Sequence, residues 1–218
     1  MKILEKYLKK QIIKEIEYNY LLILPDDYEN KDKWPLIIYL HGRCDRGNDL
    51  NILYNNGIPK IIKNGLKLPF IILAPQCKNT SFWGLEIDNL NGLIQEIIVK
   101  EKIDKNRVFV TGFSMGGYAA WMLADNNPNS IKGIIPVCGG VPDEAGYPER
   151  LNKLKEKSIW IFHGLKDDIV PIKEANLIID YYNSIGKKIN ITIYNDKDHN
   201  IWDETYKNEE LYKWMLEQ

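Results

Sequence analysis

Short apolar runs alternate along this chain with longer segments in which apolar residues recur at every third or fourth position. The runs have the length and the isoleucine and valine content of strands that are buried on both faces of a sheet. The longer segments have the period of helices that bury one face. The predicted strands are 36–40, 70–74, 107–111, 131–138, 159–162 and 189–194. The predicted helices are 51–64 with an interruption near Gly57, 90–101, 115–126, 173–184 and 206–216.

The N-terminal part of the chain has a different pattern. Polar and apolar residues alternate from Glu15 to Leu21, which predicts a strand over 12–24 with one solvent-exposed face. From residue 36 onward strand and helix alternate, and this order favours an α/β fold with a mostly parallel central sheet and helices on both faces. We expect about seven or eight strands in a single domain over residues 1–218. Functional side chains should then follow the carboxyl ends of the strands.

The composition argues against several classes of protein. The chain has 218 residues, of which 44% are apolar and 27% charged, and its formal net charge is −1. This charge indicates no basic face for nucleic acid, and no apolar run has the length of a membrane span. The N-terminus lacks the continuous apolar region of a secretory signal. We therefore expect no nucleic-acid or membrane partner.

Three scattered cysteines bear on the compartment. Cys44, Cys77 and Cys138 are odd in number and far apart, which favours reduced thiols and a cytoplasmic location. None of them has the spacing of a metal ligand. Nothing in the sequence thus calls for a metal or another cofactor.

The strongest chemical signal is one motif in the middle of the chain. The predicted strand 107–111 is followed by Gly112-Phe113-Ser114-Met115-Gly116 and then by a predicted helix. A Gly-x-Ser-x-Gly sequence between a strand and a helix is typical of a nucleophile elbow, a sharp turn that lifts the serine hydroxyl towards a base. The two glycines leave room where a Cβ would meet neighbouring backbone. The motif predicts Ser114 as a nucleophile.

The candidate base is one of three histidines. His41 and His163 each come directly after a buried strand and before a glycine, whereas His199 lies in its own loop after the last predicted strand. A general base must reach the serine and be oriented by a carboxylate. In a chain order of serine, acid and histidine, only His199 follows Ser114 with acids between them and also has a loop of its own. We predict His199 as the base, and we expect His41 to hold its loop through hydrogen bonds.

The acid that orients the histidine should follow the predicted strand 159–162. Two adjacent aspartates, Asp167 and Asp168, lie in the loop there. We predict Asp167 as the acid, and Asp168 remains the alternative because spacing cannot separate neighbours in one loop. The other aspartate would bind the backbone of its own loop or cap the next helix.

The reaction of a serine nucleophile also needs two donors for the negative charge that develops on the substrate oxygen. The first expected donor is the backbone N–H of Met115, directly after the nucleophile. The second should come from the loop after the strand 36–40, and there we predict the backbone N–H of Arg43.

Taken together, these segments resemble those of a known superfamily. Residues 39–49 read YLHGRCDRGND, which is similar to the Leu-His-Gly-x-Gly-Glu-Arg-Gly-x-(Asp/Asn) block of a bacterial esterase group in the α/β-hydrolase superfamily. That group is often labelled predicted peptidases and is related to polyhydroxybutyrate depolymerase-like and feruloyl esterase-like enzymes. The resemblance covers almost the whole chain from about residue 20, and the further matches are 74–77, 111–118, 137–140, 160–171 and 199–203.

The resemblance implies an α/β-hydrolase fold and a carboxylic ester hydrolase whose triad is Ser114, Asp167 and His199. The chain departs from the group's pattern at two places. Arg43 and Cys44 stand where the group has a small residue and glycine, and Asp45 replaces a glutamate. A backbone oxyanion donor survives such a change, but Arg43 adds a charge near the site.

Two tryptophans are candidates for the walls of the substrate pocket. Trp83 follows the end of a strand, and Trp202 comes three residues after His199. The segment 141–157 is the one candidate for a lid and is short, so we expect an open cleft and no large cap domain. These features favour small soluble esters or polymer-attached esters, such as acetyl or feruloyl groups on plant polysaccharide, over long lipids.

Three other functions fit parts of the sequence. A serine peptidase would use the same triad. A thioesterase for coenzyme A esters would need a basic patch, for which Lys60, Lys63 and Lys67 are a weak candidate. A non-catalytic binding protein with a hydrolase fold would normally have lost a member of the triad, and this chain has all three.

Overall fold

The computed structural model describes residues 4–9, 15–143 and 146–218. These residues form a seven-stranded sheet with the strand order β1-β3-β2-β4-β5-β6-β7. Neighbouring strands are parallel except β1 and β3, which are antiparallel. The sheet is thus mostly parallel, as predicted. Its strands are β1 (Tyr20–Ile23), β2 (Trp34–Leu40), β3 (Ile71–Pro75), β4 (Ile103–Phe113), β5 (Gly133–Val137), β6 (Ser158–Gly164) and β7 (Asn190–Tyr194).

The described part of the chain contains six α-helices, of which the last two follow the final strand. They are α1 (Gly57–Lys63), α2 (Trp83–Lys100), α3 (Met115–Asn126), α4 (Lys173–Ser184), α5 (Trp202–Lys207) and α6 (Glu209–Leu216). Short 3-10 turns add Tyr28–Asn30, Arg43–Asp45, Leu50–Asn55, Pro128–Ser130 and Glu149–Leu154. None of these helices has both the length and the apolar character that crossing a bilayer requires.

The helices cover both faces of the sheet, and the central strand β2 shows how. All seven of its residues are buried, and alternate side chains point to opposite faces. Leu36 and Leu40 belong to a core shared with α2, α3 and α4. Ile37 and Tyr39 belong to a second core with α1, α5 and α6. A continuous apolar run was therefore the correct signal for a strand between two helical layers.

The first strand is shorter than predicted. Residues 12–14 of the predicted strand 12–24 lie outside the described residues, and 15–19 have no regular structure. The reason is the partner strand: β1 pairs only with the end of β3, from Tyr20 opposite Pro75 to Ile23 opposite Ile72. An edge strand extends only as far as its neighbour supplies hydrogen-bond partners.

The second helix begins seven residues earlier than predicted, at Trp83 instead of residue 90. Trp83, Ile87 and Leu90 lie on one buried face, so the apolar stripe of the helix extends back to its first residue. Further upstream, the predicted interruption near Gly57 is confirmed. Gly57 has a φ of +59°, in the left-handed region, between the 3-10 turn and α1.

The segment between β5 and β6 packs against the body of the protein. Its described residues contain one 3-10 turn, in which Leu151 and Leu154 are fully buried. The hydroxyl of Tyr182 on α4 donates a hydrogen bond to the carbonyl of Leu151 at 3.3 Å. The described part of the segment is thus tied to α4, in line with the expected absence of a large cap.

Candidate active site

Ser114 occupies a strained turn between β4 and α3. Its φ of 55° and ψ of −120° lie in a region that residues with a side chain rarely adopt. Such a conformation costs on the order of 1–3 kcal/mol and persists only where the surroundings enforce it. Here the Ser114 N–H donates to the carbonyl of Val137 on β5 at 3.0 Å. The Ser114 carbonyl in turn accepts the N–H of Gly117 at 2.8 Å.

The glycines of the motif allow the elbow to touch its neighbours through the backbone alone. A Cβ on Gly116 would overlap the carbonyl oxygen of Leu40 at the end of β2. A Cβ on Gly112 would lie 2.5 Å from the Gly116 carbonyl oxygen, and one on Gly117 would lie 2.8 Å from the Val137 carbonyl oxygen. Only glycine fits at these positions, which explains the residue types of the motif.

Three side chains from distant parts of the chain form one hydrogen-bonded series at this elbow. Ser114 Oγ lies 2.9 Å from His199 Nε2, and His199 Nδ1 lies 2.7 Å from Asp167 Oδ2. The carboxylate accepts from the Nδ1–H, which leaves the Nε2 lone pair to accept the serine hydroxyl. The Asp167 side chain is fully buried and that of His199 is 12% exposed. The structure thus brings together the three residues that the sequence singled out.

The loop after β6 distinguishes the two adjacent aspartates. Asp167 Oδ1 accepts the backbone N–H groups of Ile169 at 3.0 Å and Val170 at 2.8 Å, while its other oxygen faces His199. Asp168 is exposed. His163 lies beneath this loop, and its Nε2–H donates to the Val170 carbonyl at 2.8 Å. Burial lowers the pKa of His163, so its ring is neutral and supports the loop.

The loop after β2 lies directly beside the elbow. Leu40 pairs with Gly112 in the sheet, so residues 41–43 run next to 113–115. A Cβ on Gly42 would overlap the ring of Phe113. Arg43 and Met115 are the first residues of their 3-10 and α-helical turns, where backbone N–H groups have no acceptor inside the helix. The fold thus places the loop that carries Arg43 next to the elbow that carries Met115, and the role of their N–H groups as oxyanion donors stays a prediction.

His41 holds this loop, as its position after β2 led us to expect. Its ring donates from Nδ1 to the Gly42 carbonyl at 2.6 Å and accepts the Cys77 N–H at Nε2 at 3.0 Å. Acceptance at Nε2 requires the neutral ring, because a protonated ring has no free lone pair there. Burial lowers the pKa of His41 from 6.5 to about 4, which keeps the ring neutral near pH 7.

The prediction that Trp83 lines the substrate pocket is wrong. Trp83 is 1% exposed, and its indole N–H donates to the His41 carbonyl at 3.0 Å. Because α2 begins at this residue, the ring points into the core and not towards the cleft. Trp83 supports the loop that carries Arg43.

Trp202 lies where a wall of the cleft was expected. It is partly buried and stacks on Phe113 with ring centroids 4.4 Å apart, and it meets the His199 ring edge-on at 5.8 Å. Phe113 directly precedes Ser114, so the indole packs against the residue before Ser114 and against the His199 ring.

Sequence reasoning missed Asn56, which bridges two loops of the site. Its Nδ2 donates to Asp45 Oδ1 at 2.8 Å, and its Oδ1 accepts the indole N–H of Trp202 at 3.3 Å. Burial raises the pKa of the Asp45 carboxyl, and the hydrogen bond from Asn56 opposes that shift. Asn56 and Trp202 are 146 residues apart, so no local pattern could have indicated the contact.

One set of metal-capable side chains occurs among the residues that the structure describes. Ligand atoms of Cys138, Asp167 and His199 lie within 4.8 Å of one another. The aspartate and the histidine already bond to each other, and burial raises the pKa of the Cys138 thiol. We therefore interpret this set as the hydrogen-bonded series at Ser114 with a buried thiol beneath it.

The sheet, the serine elbow and a histidine on the loop after the last strand together define an α/β hydrolase. Residues 85–211 match the phospholipase/carboxylesterase family, and this match covers more than half of the chain. The chain therefore belongs to the phospholipase/carboxylesterase family.

Several known proteins are similar to the chain. A probable feruloyl esterase C of Aspergillus clavatus is 28% identical over 157 residues, which cover 70% of this chain and 55% of that protein. The crystal structure of a thermostable esterase is 27% identical with a TM-score of 0.78, covering 93% of this chain and 60% of that chain. Dipeptidyl aminopeptidase A of Saccharomyces cerevisiae is 21% identical over 245 residues, which cover 92% of this chain and 26% of that protein. The chain thus spans little more than half of the feruloyl esterase relative.

We expect the neutral His41 ring to make stability depend on pH. Its pKa is lower in the folded state, about 4, than its ordinary value of 6.5. The contribution of the neutral His41 ring to the free energy of unfolding is therefore fully present above pH 6.5 and is lost as the pH falls towards 4. Between pH 7 and pH 5 the loss should be on the order of 2 kcal/mol, measured by urea unfolding. His41→Gln, whose side chain does not titrate, should show a correspondingly smaller loss, and an equal loss in both proteins would contradict this role.

Asn56→Ala should lower the free energy of unfolding by about 2 kcal/mol, because it leaves the Asp45 carboxylate and the Trp202 indole N–H without their partner. The neighbouring Asn55→Ala is the matched control. Asn55 is exposed, and its change should cost less than about 0.5 kcal/mol. Equal costs for the two variants, measured by urea unfolding, would show that the bridge does not stabilise the fold.

Proposed function

We propose that this protein is a serine carboxylic ester hydrolase that acts through an acyl-enzyme. The observation that carries the proposal is the hydrogen-bonded series Ser114–His199–Asp167, with contacts of 2.9 and 2.7 Å, at a strained elbow. Family membership and the similarity to esterases support it.

In the first half of the reaction, Ser114 is acylated. His199 Nε2 takes the hydroxyl proton as Ser114 Oγ bonds to the ester carbonyl carbon. The N–H groups of Met115 and Arg43 stabilise the resulting oxyanion, an interaction for which each donor typically contributes ~100- to 1000-fold in turnover. Asp167 stabilises the imidazolium. When the intermediate collapses, the bond to the leaving oxygen breaks and His199 gives its proton to the departing alcohol.

In the second half, water releases the acyl group. His199 takes a proton from a water molecule, whose oxygen bonds to the acyl carbon. The second tetrahedral intermediate breaks at the Ser114 Oγ–carbon bond, and His199 returns the proton to the serine. The products are a carboxylic acid and free enzyme. The ester, one water molecule and these side chains account for every bond and proton, so the cycle calls for no cofactor.

The proposed substrates are esters of short-chain or aromatic acids, either small molecules or groups attached to polysaccharide. Acetyl and feruloyl esters of plant polysaccharide are the leading candidates. The similarity to a feruloyl esterase supports this class. The described part of the segment between β5 and β6 also supports it, because this part packs on α4 and forms no large cap over the cleft. Trp202, beside His199, is the proposed aromatic contact for the substrate.

A serine peptidase is the second candidate. The similarity to dipeptidyl aminopeptidase A favours it. The same series would serve, with His199 protonating an amine in place of an alcohol. A peptide substrate therefore belongs in the same assay as the esters.

Ser114→Ala should abolish ester hydrolysis, lowering turnover by at least about 1000-fold while the protein stays folded. The assay is a 4-nitrophenyl ester series from acetyl to dodecanoyl, with methyl ferulate and an aminoacyl 4-nitroanilide. We expect the acetyl ester to be cleaved faster than the dodecanoyl ester. The matched control is Ser184→Ala, at the exposed end of α4, which should leave the rates unchanged. Hydrolysis of the anilide alone would favour the peptidase, and undiminished activity in Ser114→Ala would refute both candidates.

Asp167→Asn should lower turnover by about 1000-fold or more, because the amide cannot hold the His199 Nδ1–H as a carboxylate does. Asp168→Asn removes the same charge from the next residue, whose side chain is exposed. It should change kcat by less than about threefold, since exposed charges are screened by solvent. The comparison of kcat for the two variants assigns the acid, and similar losses would contradict the role of Asp167.

A further inference from the structure

The loop after β2 presents two arginines that the proposed mechanism leaves unused. Arg43 lies at the first position of the 3-10 turn and is exposed, and its guanidinium carbon is 5.8 Å from the centroid of the Phe82 ring. The guanidinium carbon of Arg46 is 4.5 Å from the same centroid. Phe82 itself is 45% exposed. Two cations thus flank one accessible aromatic ring.

The hydrogen bonds of this pair go to uncharged acceptors. Arg46 donates from Nε to the Arg43 carbonyl at 3.1 Å and from Nη1 to the Ser81 carbonyl at 2.9 Å, and both acceptors are uncharged. The carboxylate between the two arginines, Asp45, is buried and bonds to Asn56. Within the described ranges, neither guanidinium lies within 4.0 Å of a carboxylate oxygen.

The loop that carries both arginines borders the turn of Ser114. The backbone N–H of Arg43 is the proposed oxyanion donor. The Arg43 side chain therefore begins close to the position proposed for the substrate carbonyl. The opposite flank of Ser114 differs, because the Glu174 carboxylate lies there beside Gly140, and exposed Asp168 and Lys166 follow β6. An anionic group on a substrate is therefore attracted to the side of the oxyanion loop.

We propose that Arg43, Arg46 and Phe82 form a subsite for a carboxylate carried by the ester substrate, on its acyl or its leaving half. This inference rests on the proposed ester hydrolysis and adds to it a preference for esters that carry one carboxylate over their neutral counterparts. Guanidinium groups match carboxylates in charge and fork geometry. The Phe82 ring holds the two guanidinium groups in place through cation–π contact and offers an apolar surface to the rest of the substrate.

The test uses two matched pairs of esters. The first pair, 4-acetoxybenzoate and its methyl ester, differs by a carboxylate on the leaving half. The second pair, mono-4-nitrophenyl adipate and 4-nitrophenyl hexanoate, differs by a carboxylate on the acyl half. The readout is the ratio of kcat/KM, anionic over neutral. In Arg43→Gln this ratio should fall about three- to fivefold for at least one pair, the size expected of an exposed ion pair.

Two controls separate this subsite from general charge effects. Arg43→Lys keeps the charge and should retain most of the ratio. Lys105→Gln removes one exposed cation near the amino end of β4, whereas Ser114 follows the carboxyl end of that strand, and it should leave the ratio as in the unaltered protein. Raising the ionic strength from about 0.02 M to about 0.5 M should lower the ratio in the unaltered protein more than in Arg43→Gln.

A binding measurement keeps the inference testable apart from catalysis. Calorimetric titration with 4-hydroxybenzoate should give a Kd about three- to fivefold weaker for Arg43→Gln, with no such change for methyl 4-hydroxybenzoate. Ratios and Kd values that are independent of Arg43 would overturn the subsite while leaving ester hydrolysis intact. Absence of any hydrolysis that depends on Ser114 would overturn the proposed function, and the titration would still decide whether the subsite binds carboxylates.

Discussion

The structure depends on one close contact, the approach of the first turn of α3 to the end of β2. No side chain separates the two backbones, because a Cβ on Gly116 would overlap the Leu40 carbonyl oxygen. This contact forces Ser114 into its left-handed conformation, and the hydrogen bond from Ser114 to Val137 on β5 holds it from the other side. It also places the loop that carries Arg43 beside Met115. The strain at Ser114 and the position of the loop with the proposed oxyanion donor thus have the same physical origin.

The remaining parts of the site are held by hydrogen bonds between the backbone and buried polar side chains. Without these bonds, burial of such side chains would destabilise the fold. Asp167 is a fully buried carboxylate, but one oxygen accepts two N–H groups of its own loop and the other faces His199. His41 is a buried imidazole whose two nitrogens both bond to backbone. A buried polar group that is fully bonded fixes its surroundings, since breaking either bond leaves an unpaired atom away from water. The loops after β2 and β6 are therefore rigid supports for Ser114 and His199.

The candidate nucleophile, the candidate base and the mostly parallel sheet were accessible from sequence because each depends on a local pattern or on the alternation of strand and helix. A buried strand followed by Gly-x-Ser-x-Gly points to Ser114, and chain order together with a loop of its own points to His199 among three histidines. Asp167 and Asp168 could not be separated by spacing, since only the direction of each side chain distinguishes them. Trp83 was misassigned because the start of α2 was placed seven residues too late. Asn56 was missed because its bridge joins segments that meet only in three dimensions.

Covalent labelling tests most directly whether Ser114 is a nucleophile that the elbow and His199 activate. The protein would be treated with an organofluorophosphonate, which reacts with activated serines, and then analysed by intact mass and peptide mapping. We expect one adduct per chain, on Ser114, and we expect ester hydrolysis to fall in proportion to the fraction of labelled protein. Absence of an adduct, an adduct on another residue, or full activity after complete labelling of Ser114 would contradict this role of Ser114.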